Sequence, residues 1–280
     1  MFSENLLQGK RALITGGGTG LGKAMAKRYL ELGANVYICG RREEVLKETC
    51  AELSSAGAIE GFVLDVRELA AVEQAIARVW EQGALDILVN NAAGNFLART
   101  EDLSPGAWNA VIGIVLQGTI NMTMTCGRRW LGEKKAASVV NIVTTYSSSG
   151  AGSAYVVPSA VAKAGVQALT RSLAVEWGPR GIRMNAIAPG PVPTEGAFSR
   201  LLPKAEMEKL AIKRVPLRRF GTPEEIANLA VFLVSDQAAY INGEVVAMDG
   251  GEWLQGAGEF SFLGQMLTDA DWEMFRPKKK

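Results

Sequence analysis

The glycine-rich run Thr15-Gly16-Gly17-Gly18-Thr19-Gly20-Leu21-Gly22 follows a short apolar segment and opens a helical pattern. Gly16 permits a tight turn, Gly20 lets backbone approach a pyrophosphate, and Gly22 allows a helix to pack closely on a strand. A helix that starts here aims unpaired N–H groups and the positive end of its dipole at phosphate oxygens, with Thr19 and Leu21 in the cradle. Glycine runs also make ordinary turns; the strand before and the helix after favour a bound dinucleotide. At the end of the next apolar run stands Cys39-Gly40-Arg41-Arg42. An NAD site carries Asp or Glu there to hold the ribose 2′-hydroxyl, whereas a guanidinium suits a 2′-phosphate. Arg41 therefore favours NADP(H) over NAD, the alternative being that Arg41 and Arg42 cap the next helix or lie in solvent.

Four further side chains could do chemistry, and each has a structural reading beside the functional one. Lys163 sits within the alanine-rich stretch Ala160–Ala168, where a charge either snorkels or works. Ser159 follows Pro158 and could cap a helix. Tyr146 could be a packed aromatic at a strand end. Asn95, after Gly94, serves equally well as a turn residue. The chain has no histidine, which excludes a Ser-His-Asp triad and any imidazole metal ligand, so no metal site is expected. Cys39, Cys50 and Cys126 form no CxxC pair and read as reduced, buried thiols.

The elements that must position these groups alternate in type. The 280 residues are 48% hydrophobic and 21% charged, enough apolar material for one substantial core. Strands are expected at Arg11–Thr15, Asn35–Cys39, Gly61–Asp65, Ile87–Asn90, Ser138–Val143, Arg183–Ala188 and Glu244–Met248, rich in Val, Ile and Leu on both faces. Amphipathic helices are expected at Gly20–Leu32, Glu43–Ser54, Leu69–Trp80, Pro105–Leu131, Ala160–Trp177 and Pro223–Ser235. The last opens with Thr222-Pro223-Glu224-Glu225, a capping box. This order predicts an α/β fold: a single Rossmann-type doubly wound parallel sheet of about seven strands with helices on both faces. No linker composition divides residues 1–280, so one domain is expected. Proline-rich Pro189–Arg219 breaks the alternation as a substrate flap at about 190–220. A net charge of +1 gives no reason to favour nucleic acid. The apolar runs read as too short and interrupted to span a bilayer, and the N-terminus has no secretory pattern, so a soluble, unexported, cytoplasmic chain is expected.

The glycine run, Asn90-Asn91-Ala92-Ala93-Gly94 and Pro189-Gly190 together resemble the short-chain dehydrogenase/reductases over nearly the whole chain. The resemblance implies cofactor contacts from Gly16, Thr19, Gly20, Leu21, Arg41, Asp65 and Val66 at the adenine half. Asn91, Ala92, Gly94, Lys163, Pro189, Gly190 and Thr194 would follow toward the nicotinamide. The family's Tyr-x-x-x-Lys pair is altered: Lys163 is present, but Ser159 stands four residues before it. Tyr146 occupies the position of the family's serine, and counting from Trp108 the usual asparagine falls at Val115.

These departures, with Gly94-Asn95-Phe96, Val157-Pro158-Ser159-Ala160, Gly196-Ala197-Phe198-Ser199-Arg200-Leu201, Gly258-Glu259-Phe260 and Trp272, are similar to the mitochondrial-type 2,4-dienoyl-CoA reductases. The segment between Tyr146 and Ser159 is about two residues longer than that pattern, and holds a second tyrosine, Tyr155. The resemblance implies NADPH-dependent reduction of a 2,4-dienoyl-CoA thioester to a trans-3-enoyl-CoA, with Tyr146, Lys163, Asn95 and Ser159 catalytic. Asn95 and Tyr146 would donate to the thioester oxygen, Lys163 would hold the nicotinamide ribose, and Ser159 would orient Lys163 or the ribose. Phe96, Phe198 and Arg200 would join Asn95, Tyr146 and Ser159 in contacting substrate, with Arg200 either at a CoA phosphate or on the surface. Reduction of a 3-oxoacyl or other carbonyl substrate is the alternative activity, and non-catalytic NADP(H) binding a third. A homotetramer is also implied.

Overall fold

Every described strand joins one sheet. The computed structural model describes residues 3–95, 97–148, 152–194 and 205–257, together with 268 and 270. Its strands are β1 (Arg11–Thr15), β2 (Asn35–Gly40), β3 (Ile59–Val63), β4 (Ile87–Asn90), β5 (Ala137–Ile142), β6 (Ile182–Pro189) and β7 (Val245–Met248). They lie in the order β3-β2-β1-β4-β5-β6-β7, all pairings parallel. The helices are α1 (Gly20–Glu31), α2 (Glu43–Leu53), α3 (Leu69–Glu81), α4 (Pro105–Ile112), α5 (Gly118–Gly132), α6 (Val157–Trp177), α7 (Ala205–Arg214), α8 (Pro223–Val234) and α9 (Glu252–Ala257).

Central strands β4 and β5 are buried along their whole length, because helices cover both faces. Met25, Tyr29 and Leu30 of α1, Leu46 of α2, and Ile226 and Val231 of α8 fill one side. Val72 and Ile76 of α3, Met122 and Trp130 of α5, and Trp177 of α6 fill the other. The chain winds outward from β1 to β3, then returns to β4 and winds the other way. That reversal opens a crevice beyond the C-terminal ends of β1 and β4, where such sheets bind ligands.

The capping box forms as expected: the Thr222 hydroxyl accepts from the Glu225 amide, and the Glu225 carboxylate accepts from the Thr222 amide at 2.8 Å. Arg219 holds the Glu225 carboxyl down at about 2.

Five expectations need correction. Strand β3 spans Ile59–Val63 rather than 61–65, since Asp65 turns back on itself and accepts from the Arg67 amide. Helix α6 begins at Val157, three residues before the expected start, because Pro158 fits a first helical turn. The expected helix over 105–131 is interrupted by a π turn at Gly113–Gln117. There the chain runs close to the β3–α3 turn: a Cβ on Gly118 would collide with Val66, and one on Gly113 would lie 3.3 Å from Arg67 Cδ. Within Pro105–Gly132, 28 residues long, an 18-residue window has a mean hydropathy of 1.3, enough by length and composition alone to cross a membrane. Just over half of that window is buried in the fold, as an interior helix requires. Among the cysteines, Cys39 and Cys126 are buried, while Cys50 is only half-buried.

Candidate active site

The crevice floor is built from backbone that tolerates no side chains. A Cβ on Gly22 would collide with the Gly16 carbonyl oxygen, and one on Gly16 would sit 3.1 Å from Ala92 Cα. Gly16 and Gly20 both have positive φ, 65° and 53°. The loop is tied across to β4: the Thr15 hydroxyl accepts from the amides of Asn91 and Ala92, each at 2.9 Å. The Asn91 carboxamide donates to the carbonyls of Thr15 and Gly16 at 3.0 and 3.2 Å. Thr15 has this fastening role without having been anticipated; its signal is a hydroxyl at the end of an otherwise apolar buried strand. Helix α1 then starts at Gly20 with no side-chain cap from Thr19 and no acid in its first turn. Its N-terminus thus keeps the positive dipole end that phosphate favours. This donor set fits the pyrophosphate of a dinucleotide. Leu21 is half-buried against the core on α1's first turn.

Thr194 lies over this loop, with its Cβ and Cγ2 each 3.3 Å from where a Cβ on Gly20 would be. Gly190 is needed sterically, since a Cβ there would approach Asp249 Cα to 2.7 Å. Pro189 ends β6, and a Cβ on Gly94 would lie 3.6 Å from Ile114 Cδ1, in ordinary contact.

At the adenine side, Arg41 is exposed just beyond β2. Asp65 is engaged by Arg67 through a two-pronged ion pair with a shortest contact of 2.5 Å. The Arg67 guanidinium holds the Asp65 carboxyl below its ordinary range, and the charge of Arg41 adds to the effect. Arg67 was not anticipated from the sequence. Its only signal is the Asp-x-Arg spacing, which is common in solvated turns. The Val66 carbonyl is taken by Asn121 at 2.9 Å, and its side chain is buried.

The reactive side chains come from two strand ends and one helix. Tyr146 stands on the single turn Thr145–Ser147 after β5. Its hydroxyl lies 3.1 Å from the Ser159 hydroxyl, and the Asn95 carboxamide donates to it at 3.4 Å. Ser159 is buried within the first turn of α6; the cap position itself belongs to Val156. One turn on, Lys163 is buried and donates to the Ile142 carbonyl at the end of β5. Burial pushes its ammonium down from 10.5 to about 8. Val115, at the position of the family's asparagine, is buried in the π turn and packs with Val111 and Ala162. Tyr155, by contrast, is 59% exposed, with a positive φ of 66° and its carbonyl accepting from the Ala98 amide. The structure thus brings Asn95, Tyr146 and Ser159 together and leaves Tyr155 apart. Phe96, Phe198 and Arg200 lie outside the described residues, as do 196–201, 258–260 and Trp272.

A family model described as enoyl-(acyl carrier protein) reductase matches residues 16–252. A probable 2,4-dienoyl-CoA reductase [(2E)-enoyl-CoA-producing] of Bacillus subtilis is 48% identical over 89% of this chain and 98% of its own. Probable 2,4-dienoyl-CoA reductase 3 [(3E)-enoyl-CoA-producing] of Caenorhabditis elegans is 46% identical over 97% and 88%. Among solved structures, a putative NAD(P)-dependent gluconate 5-dehydrogenase from Beutenbergia cavernae with bound NADP superposes with a TM-score of 0.84. It is 34% identical, covering 90% of this chain and 99% of that one.

Proposed function

The chain belongs to the short-chain dehydrogenase/reductase family, and from that premise we propose that it reduces 2,4-dienoyl-CoA thioesters with NADPH. The observation that carries this reading is the convergence of the Asn95 carboxamide and the Tyr146 hydroxyl at 3.4 Å, with the buried Lys163 one helical turn beyond Ser159. When bound, the nicotinamide supplies a hydride, which the δ-carbon of the conjugated thioester accepts. Negative charge then gathers on the thioester oxygen. Two donors only a hydrogen-bond length apart can converge on one such oxygen, and donors already aimed at developing charge need no reorganisation as the reaction proceeds. Ser159 orients the Tyr146 hydroxyl, and Lys163, charged below about pH 8, holds the ribose. A proton taken up at the α-carbon completes a trans-3-enoyl-CoA.

The preference for NADPH rests on Arg41. It stands exposed beside an Asp65 already engaged by Arg67, so the adenine rim offers a guanidinium to a 2′-phosphate. The chain assembles as a homotetramer, a reading supported by apolar side chains on the outer face of α6, where Val175 is 80% exposed. Light scattering of the purified protein tests that assembly.

The deciding assay mixes purified protein with NADPH and 2,4-dienoyl-CoA thioesters of several chain lengths. Absorbance of both reactants falls, and product analysis finds a 3-enoyl thioester. Absence of turnover at every chain length, with rapid oxidation of NADPH by an acetoacetyl thioester, would replace this reading with carbonyl reduction. A 2-enoyl product would leave the reductase in place and move the site of protonation.

A further inference from the structure

Helix α6 presents a continuous polar stripe on its buried face: Ser159, Lys163, Gln167 and Thr170. The spacing of three to four residues puts all of them on one side of the helix. Each meets a partner on β5 or on the turn that follows it. Ser159 meets Tyr146, Lys163 meets the Ile142 carbonyl, and Thr170 accepts from the Asn141 carboxamide at 2.9 Å. The reduction of a thioester gives no task to Gln167, although its side chain is 2% exposed.

Its partner is Ser147. The Gln167 carboxamide donates to the Ser147 hydroxyl at 2.7 Å, and that hydroxyl donates in turn to the Thr144 carbonyl at 2.7 Å. Thr144 and Ser147 are the two ends of the single turn that carries Tyr146. A one-turn segment has little stability of its own, since few hydrogen bonds offset the backbone entropy lost in fixing it. Tyr146 itself is only half-buried, so packing alone does not hold it. We propose that Gln167 is a positioning residue: acting through Ser147, it locks the Thr145–Ser147 turn so that the Tyr146 hydroxyl faces Asn95 and Ser159. A buried amide donor is suited to this, because an unmade bond would leave both it and the hydroxyl short of a partner away from water.

The inference rests on the reductase reading for the task of Tyr146, but not for its placement, and the experiment separates the two. Gln167→Met keeps length and apolar volume while removing the donor. Ser147→Ala breaks the same relay from the turn, where a folding defect is less of a risk. In each variant kcat for the dienoyl thioester falls roughly ten- to a hundred-fold, the scale set by an error of about 1 Å in placing a reacting group. The KM for NADPH stays near that of the parent, and melting temperature falls by no more than the few degrees that one unpaired buried group costs. The double variant loses no more than the worse single one, because both act through one relay. A crystal structure of Gln167→Met shows the Tyr146 hydroxyl withdrawn from Ser159. Unchanged kcat in both variants, losses that multiply in the double variant, or a lowered melting temperature with kcat intact would overturn the proposal. If the parent protein does not reduce dienoyl thioesters, the functional reading fails by itself. The position of Tyr146 in the variant crystal then still decides whether Gln167 sets it.

Discussion

The two halves of the crevice use opposite materials. The cofactor half is backbone: Gly22 is there because a Cβ would strike the Gly16 carbonyl, Gly16 because of its positive φ and tight surroundings, and Thr15 and Asn91 stitch the loops together. The residues that would bind phosphate are the same ones that pack the fold. The reduction half is made of side chains joined by hydrogen bonds between a short turn and the first turn of a helix. Its central cation is buried against its own solvation preference, so the groups that react are ones the fold tolerates at a cost. Binding and stability coincide in the first half and oppose each other in the second.

The sharpest way to separate the halves is Tyr146→Phe. It removes one donor and nothing from the core, so kcat drops about 10²–10³-fold with folding intact, the scale of losing one oxyanion donor. Steady-state kinetics at saturating NADPH decide it, and near-parental kcat would place the oxyanion donor elsewhere.

Lys163 gives the next largest effect, and of the opposite sign on stability. Its ordinary value of 10.5 applies in the unfolded chain, against about 8 when folded. Below pH 8 both states are protonated and the folded one bears the full cost of the buried ammonium. Between about 8 and 10.5 the unfolded chain binds more protons, so stability gains as pH rises through that window. Lys163→Met therefore stabilises the cofactor-free protein at pH 7, by up to about 3 kcal/mol, and the advantage shrinks toward pH 10. Denaturant titrations at the two pH values test this. An advantage that does not change with pH would contradict the sign. In the parent, kcat/KM declines above about pH 8 as the charge is lost.

Gly22→Ala probes the other half, where binding and folding should fail together. The new methyl meets the Gly16 carbonyl rather than a flexible side chain, which costs about 1–3 kcal/mol of stability. Melting temperature and NADPH affinity fall in parallel; loss of one without the other would break the comparison. The smallest effect is the most selective. Arg41→Ala weakens NADPH about ten-fold, as one charge-assisted hydrogen bond would, and leaves NADH nearly unchanged. Equal losses for both cofactors, measured by fluorescence titration, would remove the 2′-phosphate assignment.

The backbone half was the more legible one in the sequence. Gly16, Gly20 and Gly22 lie within seven residues of one another, and the alternation of apolar runs with helical patterns places them at the C-terminal end of the first strand with little ambiguity. The side-chain half was legible mainly by family resemblance. Tyr146 and Asn95 are 51 residues apart, and no local pattern relates them. Gln167 escaped because a glutamine on an amphipathic helix ordinarily faces water; only the Ser147 turn folding over it makes that position an interior one. Arg67 escaped for the complementary reason, since its ion pair with Asp65 is local and looks like any solvated turn. The π turn at Gly113–Gln117 escaped because a single extra residue barely disturbs an apolar pattern of period 3.6.

That extra residue works as a phase shifter. Each residue of an α-helix advances the side chains by about 100°. One residue deleted between 113 and 117 would restore a regular helix and rotate everything after it by that angle relative to α4. Asn121, whose carboxamide donates to the carbonyls of Val66 and Arg67, would swing off the turn that carries Asp65. Length in this stretch is therefore information in its own right. A substitution at Val115 edits local packing, whereas an indel there uncouples the adenine rim from the helix that supports it.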